Sequence, residues 1–267
     1  MSTSAPPIVT AKEHYESLLA EHYTWMCGPY DAKVAQQRET FARLGVSPGP
    51  TGEALDLGCG SGFQSIALAQ LGFRVTAIDA NQRLLAELAL HRGDLPVSTV
   101  VHDLCDLRTC GELPSSADLA VCMGDTLTHL PSHAAVSGLF VDVARMLAPG
   151  GTFILAFRDM SHELRGLDRF IPVRSDEDRI MTCFLQYEAH SVIVHDLIYL
   201  RNGSGDLHNS SGGAPQEKPA WTLRKSAYRK LRLSIEGVSA DLENAGFQIR
   251  SQEQALDMWT AAARLAT

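Results

Sequence analysis

A glycine-rich turn between an apolar run and a helical stretch constrains the fold of this chain more than any other feature. The apolar run Ala54–Leu57 is followed by glycines at positions 58, 60 and 62, and a helical pattern then covers residues 63–71. Glycine lets a backbone approach a ligand closely, because a Cβ atom would collide there. The spacing G-x-G-x-G departs from the dinucleotide fingerprint, whose third glycine would fall one residue later, and the turn lacks the lysine of a P-loop.

Strand and helix patterns alternate on the carboxyl side of this turn. Apolar runs predict further strands over residues 74–78, 97–101, 119–123 and 152–157. Asn81 and Ser132 are suited to cap the helices that lie between these strands. Strands that alternate with helices over short connections imply a parallel sheet covered on both faces. The sequence therefore predicts an α/β fold.

The regions that flank the alternating core follow other patterns. We expect residues 1–45 to form a tail and a helical lid, 46–160 the core, 161–234 an antiparallel insertion, and 235–267 a closing helix and the last strands of the same domain. The insertion has three predicted strands, at 180–187, 192–200 and 221–233, which would roof the site or pair two subunits. The polar stretch 202–220 within it predicts a mobile surface loop.

Composition excludes several classes of protein. The chain of 267 residues has 23 Lys plus Arg and 31 Asp plus Glu, a formal charge of −8, which disfavours a nucleic-acid partner despite a basic cluster at 224–232. No uncharged apolar run reaches the roughly 18 residues of a membrane span, and the start lacks a signal-peptide pattern. The six cysteines form no C-x-x-C pair, so we expect reduced thiols, no metal site and a cytoplasmic location.

Two acids follow the second and third predicted strands. Asp79 lies 21 residues after Gly58, where a carboxylate can accept hydrogen bonds from ribose hydroxyls. Asp103 can accept from an adenine amino group while the amide of Leu104 donates to the ring. The alternatives are a helix cap for Asp79 and a solvated loop acid for Asp103.

These residues together resemble class I S-adenosylmethionine-dependent methyltransferases. The resemblance rests on Asp56–Gly62, Asp79, Asp103–Leu104, Cys122–Asp125 and Pro149–Gly151. It implies a Rossmann-like, seven-stranded, mostly parallel sheet with helices on both faces, and S-adenosylmethionine as cofactor. The residues that it assigns to the cofactor, with two aromatic residues of the lid, are Asp56, Gly58, Cys59, Gly60, Asp79, Ala80, Asp103, Leu104, Met123, His129, Tyr23 and Trp25.

The loop after the fourth strand is similar to that of glycine N-methyltransferase-type enzymes. Asp125 stands where that loop has an asparagine, and we expect it to bind a substrate ammonium or to accept a proton. His129 is a candidate base, with hydrogen bonding to the cofactor or backbone as the alternative. Arg158 matches an arginine that holds a substrate carboxylate in that family, the alternative being an ion pair with Asp159 or another surface acid. Tyr23 and Trp25 would face the sulfonium or pack in the core.

The function that these patterns favour is methyl transfer from S-adenosylmethionine to a small molecule. The acceptor that we expect first is an amine nitrogen of an amino-acid-like or carboxylate-bearing metabolite. Sulfur and oxygen acceptors are the alternatives. Other classes are a non-catalytic S-adenosylmethionine-binding regulatory module and a nicotinamide oxidoreductase on a similar sheet. The partners expected are a small-molecule substrate, with no nucleic acid and no membrane, in a monomer or homodimer.

Overall fold

The computed structural model describes residues 7–202, 220–255 and 257–266, so most of the loop expected at 202–220 lies outside the described residues. Strands are numbered in chain order as β1 (Ile8–Val9), β2 (Glu53–Leu57), β3 (Arg74–Asp79), β4 (Val97–Val101), β5 (Ala117–Cys122), β6 (Leu147–Arg158), β7 (Phe170–Ser175), β8 (Arg179–Tyr187), β9 (Ser191–Arg201), β10 (Trp221–Leu231), β11 (Phe247–Ala255) and β12 (Met258–Leu265). The α-helices are α1 (Ala11–Ser17), α2 (Tyr23–Cys27), α3 (Tyr30–Arg43), α4 (Phe63–Gln70), α5 (Gln82–His91), α6 (His133–Met146) and α7 (Ile235–Asn244).

Seven of these strands form the core sheet, in the order β11-β12-β6-β5-β2-β3-β4. The five strands from β6 to β4 in that order are parallel, while β12 pairs antiparallel with both β6 and β11. The predicted Rossmann-like, mostly parallel sheet is confirmed. The carboxyl ends of its parallel strands lie along one edge, where the loops after β2, β3, β4, β5 and β6 gather.

Helices cover both faces of the core sheet because their apolar stripes pack against its buried strands. Helices α6 and α7 cover one face through residues such as Phe140 and Leu242, and α3, α4 and α5 cover the other through residues such as Phe41 and Leu88. The predicted caps are confirmed, since the side chain of Asn81 accepts from the first turn of α5 and that of Ser132 from the first turn of α6. No helix in the described ranges is long and apolar enough to cross a membrane.

A second sheet, here called the roof sheet, has the order β1-β10-β9-β8-β7. Four of its strands, β7 to β10, lie in the insertion, where three were expected. Strand β7 contains Pro172 and has a register shift between Pro172 and Arg174. A proline makes a strand hard to predict from sequence, and it is tolerated at the sheet edge that β7 occupies. Strand β1 comes from the stretch expected to be a loose tail, and it pairs parallel with β10.

The N-terminal helices connect the two sheets. The side chain of Thr10 caps α1 in a capping box with Glu13. Leu18 and Leu19 then pack against Met181 and Ile198 on the inner face of the roof sheet. Farther along, Tyr23 packs with the cluster on the α4 face of the core sheet. The N-terminal segment therefore lies between the roof sheet and the glycine turn.

Candidate active site

A large cavity lies between the carboxyl-end loops of the core sheet and the inner face of the roof sheet. Its volume is about 1320 Å³. Single ligands of drug size occupy pockets of about 300–1,000 Å³, so this cavity has room for two ligands side by side. One end is lined by the glycine turn and the loops after β3 and β4, and the other by the loops after β5 and β6 together with the roof sheet.

The glycine turn has a conformation that other residues resist. Gly58 and Gly60 have φ angles of 72° and 54°, in the left-handed region that favours glycine. A Cβ atom on Gly58 would lie 2.3 Å from Cγ2 of Thr126, and one on Gly60 would lie 2.9 Å from Cε1 of Tyr23. The amide of Gly58 donates to the carbonyl oxygen of Ile78 at 2.8 Å, which fixes the turn against β3.

Asp79 ends β3 beside this turn. Its Oδ2 accepts from the amide of Gly60 at 2.8 Å, and its Oδ1 accepts from the amide of Asn81 at 2.8 Å. Burial raises the pKa of Asp79, although these hydrogen bonds oppose the shift. Each carboxylate oxygen can accept a second hydrogen bond, so the group has capacity left for hydroxyl donors in the cavity.

The structure places most of the predicted site residues on the wall of this cavity. Asp103 is exposed at the wall, and its Oδ1 accepts from the amide of Cys105 at 2.9 Å. The predicted residues that line the cavity are Tyr23, Gly58, Gly60, Asp79, Ala80, Asp103, Leu104, Met123, Asp125, His129 and Arg158.

Three predicted cofactor residues lie elsewhere. Asp56 is buried beneath the turn, where its Oδ2 accepts from Oγ of Ser65 at 2.6 Å and burial raises its pKa to about 7. Cys59 is buried among the apolar residues of the α4 face. Trp25 donates through its indole to Asp176 and stacks against Arg179, so the roof sheet holds it away from the cavity. These three residues are not among those that line the cavity, and their expected contacts with the cofactor stay a prediction.

Asp125 is the centre of a charged group at the other end. Its Oδ2 lies 2.8 Å from Nζ of Lys230 and 3.7 Å from Nε of Arg158, and its Oδ1 accepts from the amide of Arg158 at 3.1 Å. Burial alone would raise the pKa of Asp125, but the charges of Lys230 and Arg158 hold it well below its usual range. Asp125 is therefore a carboxylate with little tendency to accept a proton, against one of the two roles expected for it.

His129 lies in an aromatic environment beside this group. The ring centroids of Tyr15 and Tyr228 each lie 5.6 Å from that of its imidazole. Burial, with the nearby charge of Lys230, lowers the pKa of His129 to about 3. Its Nε2 is buried and has no hydrogen-bond partner among the residues that the structure describes. A neutral imidazole with an unpaired nitrogen at the cavity wall is suited to hydrogen-bond a ligand.

A buried pair supports the roof behind these residues. Nε2 of His14 lies 2.8 Å from Oδ2 of Asp196, and the His14 ring stacks on Tyr228 at 4.0 Å. Oδ1 of Asp196 accepts from Sγ of Cys183 at 2.8 Å. The pair joins α1 to β9, and it fixes Tyr228 where that ring contacts His129.

Sequence patterns missed Lys230 as a site residue. The basic cluster at 224–232 predicted a strand with a wet face, and Arg229 fits that description with its contact to Glu188. Lys230 instead points inward and is 9% exposed. The signal available was the alternation of β10, which places every second residue on the inner face. In the described part of the chain, no group of three or more His, Cys, Asp or Glu side chains is arranged to hold a metal ion.

Comparisons with known proteins identify the domain that contains the glycine turn. Residues 54–151 match the family model described as a methyltransferase domain. The ubiquinone biosynthesis O-methyltransferase of Xanthomonas campestris pv. campestris (strain B100) is 38% identical over 109 residues, which are 40% of this chain and 43% of that protein. A cypemycin N-terminal methyltransferase of Streptomyces sp is 33% identical over 147 residues, 49% of this chain and 58% of that protein. The chain thus spans about half the length of these relatives.

A solved structure extends the comparison to nearly the whole chain. The amino pentose methyltransferase CalS10 of Micromonospora echinaspora, in its S-adenosylmethionine-bound structure, superposes with a TM-score of 0.68 at 15% identity, covering 92% of this chain and 96% of that one. At this identity the likeness shows the fold. S-adenosylmethionine is the cofactor of the family. Residues 54–151 are therefore a methyltransferase domain, and the fold of the chain is that of the class I S-adenosylmethionine-dependent methyltransferases.

Proposed function

We propose that this protein transfers a methyl group from S-adenosylmethionine to a nitrogen of a small, carboxylate-bearing amine. The observation that carries the proposal is that one cavity has a glycine turn with Asp79 at one end and the group Asp125, His129 and Arg158 at the other. Cofactor and acceptor would then meet between the two ends, near Met123 and His129, which line the cavity after β5.

The residues at the glycine end fit the cofactor. The backbone of Gly58 and Gly60 forms a cradle that a Cβ atom would fill, and Asp79 has hydrogen-bonding capacity for ribose hydroxyls. Asp103 and Leu104 would hold the adenine, and Tyr23 would cover the turn. When bound, S-adenosylmethionine supplies an electrophilic methyl group on a positively charged sulfur. The protein's part is then alignment and exclusion of water.

Arg158 is suited to hold an acidic group of the acceptor. Its side chain is 40% exposed, and its carboxylate contacts, 3.7 Å to Asp125 and 3.5 Å to Asp257, are long for charge-assisted hydrogen bonds. The guanidinium fork therefore has donors left for a planar carboxylate. Arg158 pairs with Asp125 and with the surface acid Asp257 rather than with Asp159. The ion pair with a surface acid, which was the alternative to carboxylate binding, is therefore present in part.

His129 would contact the acceptor nitrogen. An ammonium must lose a proton to solvent before its nitrogen has a lone pair for the attack, and a neutral imidazole can accept a hydrogen bond from the resulting amine. The low pKa of His129 keeps the ring neutral over the physiological range. The carboxylate of Asp125, held by Lys230, would add a negative charge that favours an amine at this end.

The relatives give support from outside the structure. Two of the three proteins compared above are named for amine-bearing substrates, an N-terminal methyltransferase and an amino pentose methyltransferase. The third is named as an O-methyltransferase of ubiquinone biosynthesis. Oxygen and sulfur acceptors therefore belong in the test as competing outcomes.

The test is a transfer assay with matched acceptors. Wild-type protein and S-adenosylmethionine are incubated with carboxylate-bearing amines and with the hydroxyl and thiol analogues of each, and mass spectrometry identifies the methylated product. We expect the amines to be the best acceptors. If the hydroxyl or thiol analogues were the better acceptors, the methylated atom would be oxygen or sulfur and the nitrogen proposal would be contradicted. Tight binding of S-adenosylhomocysteine without transfer to any class would favour a regulatory binding module.

An Arg158→Ala variant tests the anchor. We expect it to raise KM for the acceptor by about tenfold or more, because it removes a charge-assisted pair, while the affinity for S-adenosylhomocysteine stays unchanged. Equal loss of both affinities, or loss of neither, would contradict the role assigned to Arg158. Arg229→Ala is the matched control, since Arg229 is a surface arginine on the outer face of the roof sheet.

A further inference from the structure

Lys230 is a buried cation at the centre of the acceptor end of the cavity. Its side chain is 11% exposed, and it comes from the roof sheet while its ion-pair partner Asp125 comes from the core. Removing an ammonium group from water has a large free-energy cost, and one ion pair rarely compensates for it fully. An apolar residue of similar length would pack at this position without that cost, so the charge calls for a functional explanation.

The ammonium of Lys230 has more hydrogen-bond donors than the described residues around it use. An ammonium has three N–H donors, and among the described residues one of them is used, by Oδ2 of Asp125. Asp125 is at the same time shared with Arg158, whose second carboxylate, Asp257, is 84% exposed at the rim. The other buried acid nearby, Asp196, has its oxygens paired with His14 and Cys183. Two cations thus share one buried carboxylate inside the cavity.

We propose that Lys230 is a second anion-binding and specificity-determining residue, so that the acidic group of the acceptor lies between Lys230 of the roof and Arg158 of the core. Asp125 positions both cations. This inference rests on the proposed function and deepens it by adding a second cation, from the roof sheet, to the site that binds the carboxylate of the acceptor. A carboxylate has two oxygens, and one would face each cation.

The proposal is tested by calorimetry with two probes of the same shape and different charge, benzoate and benzamide. Both are titrated into the wild type, Lys230→Met and Lys230→Arg, with and without saturating S-adenosylhomocysteine. We expect wild type to bind benzoate about tenfold more tightly than benzamide, Lys230→Met to lose that preference, and Lys230→Arg to keep it. Affinity for S-adenosylhomocysteine should be equal in all three, which also shows that the variants are folded.

Three results would overturn the role of Lys230. They are equal affinities of the wild type for the two probes, an undiminished preference in Lys230→Met, and loss of the preference in Lys230→Arg although that variant still binds S-adenosylhomocysteine. The titrations without S-adenosylhomocysteine do not depend on the cofactor. Failure of the wild type to bind S-adenosylhomocysteine would therefore count against the proposed function, and the probe preference would still decide the role of Lys230.

Discussion

Nζ of Lys230 lies 2.8 Å from Oδ2 of Asp125, and this ion pair joins the roof sheet to the loop after β5 inside the cavity. The two residues are 105 positions apart in the chain. The contact therefore exists only because the insertion folds back over the carboxyl ends of the core strands. The ion pair therefore connects the roof sheet to the core at the charged end of the cavity.

The first prediction concerns the strength of this link. A double-mutant cycle with Lys230→Met and Asp125→Asn, followed by chemical denaturation, should give a favourable coupling free energy of about 1–3 kcal/mol, because the pair is largely buried. The control cycle uses Arg229 and Glu188, whose side chains are 52% and 36% exposed at 3.0 Å, and there we expect about 0.2–1 kcal/mol. Equal couplings in the two cycles would show that the buried pair adds no special stability.

The second prediction concerns the glycine turn. Gly58→Ala should weaken S-adenosylhomocysteine binding by more than about tenfold, because the new Cβ would lie 2.3 Å from Cγ2 of Thr126 and must displace the turn. Adding Thr126→Ala removes the two nearest atoms and should recover part of the affinity. Thermal unfolding and calorimetry measure the two effects.

Gly93→Ala separates the clash from backbone strain. Gly93 also has a positive φ, 52°, but a Cβ there meets nothing within 4 Å. That variant should lose about 1–2 kcal/mol of stability and keep its affinity for S-adenosylhomocysteine. If Gly93→Ala weakened binding as much as Gly58→Ala, close approach at the turn would not be the cause.

The third prediction is a pH dependence of stability from Asp56. Burial raises the pKa of its carboxyl from an ordinary 3.8 to about 7 in the folded protein. Between these values the unfolded chain is ionised and the folded chain is protonated, so the wild type loses stability as pH rises, by at most about 1.4 kcal/mol per pH unit. Asp56→Asn lacks this loss while its amide oxygen can still accept from Ser65.

Denaturation of the wild type and Asp56→Asn at a series of pH values measures this effect. The stability of the variant relative to the wild type should rise between about pH 4 and about pH 7 and stay level above that range. Asp94→Asn, at an exposed acid, is the control. A difference between Asp56→Asn and the wild type that does not change with pH would contradict a raised pKa.

The core of the fold and one half of the site could be predicted from local sequence. The glycine turn, Asp79 and Asp103 each lie at or just after the end of a strand, and the ends of parallel strands meet at one edge of a sheet. Their positions therefore follow from the order of strands and helices. The capping residues Asn81 and Ser132 act within a few residues of their own helices, so sequence patterns identify them too.

The other half depends on contacts between distant segments. Lys230 and the pair His14–Asp196 become site residues only through the packing of the roof sheet and α1, which no local pattern encodes. Local sequence left two surroundings open for Trp25, and in the structure it packs against the roof sheet, where its indole donates to Asp176. Asp56 sits between two buried leucines in β2, and a hydrogen bond from Ser65 compensates the buried carboxyl beneath the turn.

The central claim, that the glycine end of the cavity holds the cofactor through Asp79, is tested most directly by calorimetric titration of wild type and Asp79→Ala with S-adenosylhomocysteine and with NAD. We predict micromolar or tighter binding of S-adenosylhomocysteine to wild type, a loss of about tenfold or more in Asp79→Ala because two ribose hydrogen bonds are removed, and no comparable binding of NAD. Tighter binding of NAD, or unchanged affinity of Asp79→Ala for S-adenosylhomocysteine, would contradict it.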